Sequence, residues 1–81
     1  MKLMVMDAQG GGIGKQVVAA VRKQLPGMTI TAVGTNSAAT AAMLRAGADE
    51  AATGENAVVV CSRRADVSVG PIGMVIADAL L

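Results

Sequence analysis

A strand, a glycine turn and a helix stand together at the start of this chain, and that arrangement constrains the fold more than anything after it. Leu3 to Met6 is a continuous apolar run, as in a strand buried on both faces. The segment Met6-Asp7-Ala8-Gln9-Gly10-Gly11-Gly12-Ile13-Gly14-Lys15 then leads into a helix-like run from Gln16 to Leu25. Four of the ten glycines fall between Gly10 and Gly14, which is more than tight packing alone requires. A strand running through glycines into a helix aims free backbone N–H groups and a positive helix end at a phosphate. A ligand of nucleotide type is therefore expected at the backbone of Gly10, Gly11, Gly12 and Gly14, with Lys15 adding charge. Asp7, at the strand's carboxyl edge, has the choice of a ribose, a metal or a backbone N–H, and capping the turn is its plainest role.

The remainder alternates strand and helix. Ile13, Val17, Val18, Val21 and Leu25 fall on one helical face, and Pro26-Gly27 ends that helix. Met28 to Val33 is β-branched and half alternating, a second strand closed by Gly34-Thr35-Asn36. Asn36 or Ser37 can cap an Ala-rich helix running through Ala46, with Gly47 as its stop. Residues 48–56 read as a loop in which Asp49, Glu50 and Glu55 either line a site mouth or, the commoner case, are solvated acids. Residues 57–61, Ala-Val-Val-Val-Cys, favour a strand by propensity. Thr53 as a cap, Glu55 in a first turn and Arg63-Arg64 in a last turn favour a helix over 54–64 instead, which preserves the alternation. Helix is the assignment taken. Asp66 to Val69 is then a strand closed by Gly70-Pro71, and residues 72–81 read as an apolar C-terminal helix that needs cover.

The expected fold is α/β, a Rossmann-like three-layer αβα module with a small parallel sheet, formed by residues 1–81 as one domain. Its core is thin. Hydrophobic residues make up 53% of the chain, yet Phe, Tyr, Trp and His are absent and much of that fraction is alanine. A homo-oligomer through residues 72–81 and the Ala-rich second helix, or residues past Leu81, would complete it.

Composition also excludes functions. Net charge is +1 with dispersed charges, and no aromatic side chain can stack on a base, so nucleic acid is not an expected partner. The apolar runs fall short of the ~20 residues that span a bilayer, and the N-terminus enters a strand with no cleavable signal layout. One cysteine, Cys61, forms no intrachain disulfide, so a cytoplasmic location is the default. Without histidine, and with a single cysteine, no metal site is expected. Cys61 lies near Arg63 and Arg64 but on a valine-rich segment, where an inert core role is the plainer one.

The spacing of the turn refines the ligand. The pattern G-x-G-x-x-G fails because Lys15 takes the third glycine's place. Ala8-x-x-x-Gly12-Ile13-Gly14 resembles the G-x-x-x-G-I-G turn of short-chain dehydrogenases, with alanine for the first glycine. Ala65 to Gly73 is similar to that family's fourth strand and the turn that follows it, where backbone passes the cofactor ribose; Gly70 and Pro71 stand where that family has asparagines. The resemblance implies an NAD(P)-type cofactor bordered by Gly70, Pro71 and Gly73. It does not carry that family's reaction, which needs a tyrosine this chain lacks. No carboxylate follows strand two, so Thr35 and Asn36 would meet the ribose or its phosphate. A divergent phosphate-loop NTPase is a competing reading. There the residue after Lys15 should carry a hydroxyl for Mg²⁺, and Gln16 does not; Asp66 would have to serve as the second acid from the wrong strand end.

Taken together, Asp7 to Lys15, Gly34-Thr35-Asn36, Ala51 to Asn56 and Gly70-Pro71-Ile72-Gly73 resemble a small bacterial family known only as a domain of unknown function. The likeness covers nearly the whole chain. It implies a Rossmann-like fold and chains that continue past Leu81, and it implies no activity. The functional expectation is binding of a nucleotide or dinucleotide at the strands' carboxyl ends, catalysis left open. The alternative of another class is a self-assembling structural module.

Overall fold

Leu3, Met4 and Val5 are buried in succession, at 5%, 3% and 1% exposure, because the strand they form has helices on both its faces. The computed structural model describes residues 1–7, 12–70 and 73–76. In chain order these form β1 (Lys2–Asp7), α1 (Gly12–Gln24), β2 (Thr29–Gly34), α2 (Ser37–Arg45), β3 (Glu50–Thr53), α3 (Glu55–Arg64), β4 (Val67–Gly70) and β5 (Gly73–Ile76). The sheet order is β3-β2-β1-β4-β5. The first four strands are mutually parallel, and β5 runs antiparallel to β4.

Side-chain alternation sorts the two faces. Leu3, Val5, Ile30 and Ala32 point to one side, where Val18 of α1 and Met43 of α2 close over them. Met4 and Val33 point to the other side and meet Ala57, Val58 and Cys61 of α3. The expected three-layer αβα architecture, Rossmann-like with a small parallel sheet, is what the chain forms. The valine run lies in α3, as the alternation required: Ala57, Val58 and Cys61 share a helical face over the sheet. Asn36 is the cap of α2, its Oδ1 accepting the Ala39 N–H at 2.9 Å, and Gly47 leaves the helix at φ +121°.

Three expectations need correction. Residues 48–56 are not all loop. Glu50–Thr53 form β3, which extends the sheet beside β2 in the register Thr31↔Glu50 to Gly34↔Thr53. Residues 73–76, expected in a C-terminal helix, form β5 against β4; Ile72 and residues 77–81 lie outside the described residues. The predicted apolar face of α1 is also shorter than its pattern. Val18 is fully buried, whereas Ile13 and Leu25, at the two ends of the pattern, are 74% and 52% exposed.

At the other end of the sheet Arg22 ties three segments together. Its guanidinium donates to the carbonyl oxygens of Met28 (2.8 Å), Pro26 (3.2 Å) and Gly47 (2.9 and 3.0 Å), and to the Asp49 carboxylate at 2.6 Å. The same Asp49 oxygen accepts the Ile30 N–H at 2.7 Å. That backbone donor, followed by Arg22, holds the Asp49 carboxyl below its ordinary 3.8. A depressed acid contributes stability above its unfolded pKa and loses it as pH falls through the folded value. Asp49→Asn is therefore expected to be less stable than the parent at about pH 6, and the difference should shrink towards about pH 3. Urea unfolding at both pH values checks it, and a difference that does not narrow counts against this role for the charge.

Candidate functional site

In an open parallel sheet the helices begin where the strands end, so one edge collects the strand carboxyl ends and the helix N-termini. Here β1 ends at Asp7, β2 at Gly34, β3 at Thr53 and β4 at Gly70, while α1, α2 and α3 start at Gly12, Ser37 and Glu55. The strand order turns back at β1: β2 and β3 lie on one side of it, β4 and β5 on the other. Such a reversal opens a crevice between the two halves. Asp7, Gly12, Ile13, Gly14, Lys15, Thr35, Asn36, Gly70 and Gly73 all belong to this edge. Gly10, Gly11 and Pro71 lie outside the described residues.

The centre of the edge is Asp7. It is 6% exposed, and its Oδ2 accepts the Gly14 N–H at 2.8 Å. A buried carboxylate at a helix start answers both the unpaired N–H and the positive helix end. Capping, the plainest of the roles open to Asp7, is what the structure shows. The position is also a close-packed one. A Cβ on Gly14 would stand 2.6 Å from the Met43 sulfur and 2.9 Å from both Cβ and Oδ2 of Asp7. Gly14 is glycine so that α1 can lie against β1 and α2.

Gly12 differs. It opens α1, is exposed, and a Cβ placed on it would meet nothing within 4 Å among the described residues. Its φ is not in the left-handed region, which among described residues only Gly47 and Gly54 occupy. Among the described residues, neither packing nor backbone conformation asks for glycine there. Beside it Ile13 is 74% exposed, and Lys15 is exposed one residue past Gly14.

On the β2 side, the Thr35 N–H donates to the Asp7 carbonyl at 3.1 Å, which holds Thr35 next to the end of β1. Thr35 and Asn36 are both exposed, but the Asn36 Oδ1 is engaged in capping α2. Sequence reasoning missed the hydroxyl pair beyond them. Thr40 Oγ1 and Thr53 Oγ1 lie 2.8 Å apart, and Thr40 also donates to the Asn36 carbonyl at 3.1 Å. Nothing in the sequence signals this pair, because the two threonines meet only once β3 exists. On the β4 side, Gly70 pairs with Gly73 at the start of β5, and a Cβ on Gly70 would reach the Met6 methyl at 3.0 Å.

Asp66 sits at the opposite edge. Its carboxylate accepts the Lys2 N–H at 2.8 Å, and its own N–H donates to the Lys2 carbonyl. It is therefore remote from the glycine turn, and the carboxyl end of β4 carries Gly70 where an NTPase would place its second acid. Among the described residues no helix is long and apolar enough to cross a membrane.

The family model described as Domain of unknown function (DUF3842) matches residues 2–81, and the chain belongs to that family. No curated protein and no solved structure matches the chain significantly.

Proposed function

We propose that this member of the DUF3842 family binds a nucleotide of NAD(P) type in the crevice between the carboxyl ends of β1 and β4. The observation that carries the reading is Gly12, a glycine at the start of a helix that, among the described residues, neither packing nor backbone conformation requires. Close approach of a ligand to backbone is the remaining physical reason to exclude a side chain there. The reversal of strand order at β1 supports it, because open α/β sheets bind ligands at such points.

The Gly14 N–H is taken by Asp7, so phosphate contacts would fall to Gly10, Gly11 and Gly12, with Lys15 as the nearby cation. The exposed Ile13 side chain offers an apolar surface at the lip of the crevice. Thr35 and Asn36, after the end of β2, would meet the ribose or its phosphate, and Gly70 and Gly73 would border the far half. This is a reading of binding. With no tyrosine or histidine in the chain, any redox chemistry would be the cofactor's own.

Thermal denaturation with NAD, NADP, FAD and ATP, the last with and without Mg²⁺, tests it. At least one of the first three should raise the midpoint of the parent. Gly12→Val should abolish that rise while leaving the ligand-free midpoint within about 3 °C, because the position is an exposed one. A folded protein that responds to none of them overturns the reading, as does an unchanged response in Gly12→Val. A response to ATP only when Mg²⁺ is present would favour the phosphate-loop alternative instead.

A further inference from the structure

The α3 face of the sheet holds a second hollow, at the end opposite the glycine turn. It encloses about 230 Å³ and is lined by Lys2, Thr31 and Glu50 from the strands and by Cys61 and Arg64 from α3. Strand alternation explains the grouping. Lys2 shares its face with Met4, and Thr31 shares its face with Val33, both of which pack beneath α3. Glu50 joins them through the 2.7 Å bond from Thr31 Oγ1 to its carboxylate. Cys61 and Arg64 are three apart on α3 and so stand side by side above the strands. Lys2 is five residues from Asp7 along β1, so roughly 16 Å separates this hollow from the crevice.

The charges are sorted across the sheet. Glu50 belongs to β3 and Lys2 to β1, with β2 between them, a span of roughly 10 Å at about 4.8 Å per strand. Arg64, in the last turn of α3, adds a second cation. Among the described residues neither the Lys2 ammonium nor the Arg64 guanidinium has an ion-pair partner; the Arg22–Asp49 pair is the only bridge there. Two cations and one carboxylate therefore line a space with an apolar wall at Ala65. The volume lies below the ~300–1,000 Å³ of sites that take drug-sized ligands. A nucleotide does not fit; a molecule of amino-acid size does.

We propose that this hollow binds a small zwitterion of the α-amino-acid class, its carboxylate held by Lys2 and Arg64 and its ammonium directed to Glu50. A ligand bearing only one of the two charges leaves the opposite group of the hollow unanswered.

Cys61 makes the test direct, because it is the single cysteine of the chain. The full chain is titrated with each of the twenty standard amino acids to about 5 mM, a range that captures affinities near 1 mM. Butyrate and butylamine serve as the single-charge controls. Amide resonances of Thr31 and Cys61 are followed together with the rate of Cys61 alkylation by iodoacetamide. At least one amino acid should give saturable shifts at both residues and slow the alkylation, binding at least about tenfold more tightly than either control. Arg64→Gln and Glu50→Gln should each weaken it about tenfold at an unchanged urea midpoint, since both residues are exposed. Three results overturn the proposal: no saturable shift with any amino acid, equal binding of butyrate with no effect of Glu50→Gln, or shifts confined to the glycine-turn edge. The last would bear on the crevice alone, so the two sites fail separately.

Discussion

Gly14→Ala is expected to destabilise the protein by about 2–4 kcal/mol, although alanine is the better helix former by up to about 1 kcal/mol. The sign is set by packing. The new methyl would stand 2.6 Å from the Met43 sulfur and 2.9 Å from the Asp7 Cβ and Oδ2. Met43 is fully buried and belongs to the main core, so its thioether can give way only by disturbing Val18 and Ile30 around it. Asp7 can give way only by losing the Gly14 N–H, which leaves a 6%-exposed carboxylate and a helix donor poorly satisfied. At about 4–8 °C per kcal/mol for a domain of this size, the midpoint should fall by about 10 °C or more. Thermal denaturation checks it. A midpoint equal to or above the parent's would show that Met43 and Asp7 relax freely and that α1 is not fixed here. Two residues earlier, Gly12→Val is expected to leave stability almost unchanged and to act on ligand alone. On the proposed reading, the pair separates glycine kept for packing from glycine kept for a ligand within a single turn of helix.

That separation marks the limit of what the sequence shows. The strand and the helix at the start are legible because a buried parallel strand must be a continuous apolar run and a helix must show its face at a period near 3.6. Asp7 was legible as a cap because an acid at a strand end beside a helix start has an N–H to satisfy. The packing reason for Gly14 was not legible. It depends on Met43, which reaches α1 only through the packing of α2 beside it. β3 was missed for a related reason: Glu50-Ala-Ala-Thr has little strand propensity, and what makes it a strand is its register with Thr31 to Gly34. β5 was missed because Gly-Met-Val-Ile, a short apolar run, carries no period that separates helix from strand, and its pairing with β4 decides. The valine run of α3 went the other way. There the polar residues at both ends and the need for a crossover outweighed local propensity.

Gly34→Ala is expected to cost at least as much as Gly14→Ala, about 3 kcal/mol, and for a stiffer reason. A Cβ at Gly34 would stand 2.5 Å from Thr40 Oγ1, 2.7 Å from the Thr40 backbone N and 2.9 Å from the Asn36 carbonyl oxygen. Two of these three neighbours are backbone atoms of the turn that starts α2, and they bond to each other: the Thr40 N–H donates to the Asn36 carbonyl at 3.2 Å. A flexible side chain can swing away, whereas this turn cannot move without displacing the helix N-terminus capped by Asn36. Gly34 is itself fixed on both sides, by its pairing with Asp7 and by the Gly54 N–H that its carbonyl accepts at 2.9 Å. The strain therefore reaches the ends of β1, β2 and β3 together. The expected result is a midpoint lowered by about 10 °C or more, with hydrogen-exchange protection lost first at Ala39 and Thr40, whose N–H groups form the first turn of α2. If protection there matches the parent's, the close approach of β2 to α2 is not what requires glycine at this position. The same residue bears on the crevice, because Gly34 sets where Thr35 lies relative to Asp7. On the proposed reading, a folded Gly34→Ala protein also loses nucleotide affinity, whereas Gly47→Ala, strained at φ +121° but placed at the opposite end of α2, loses stability alone.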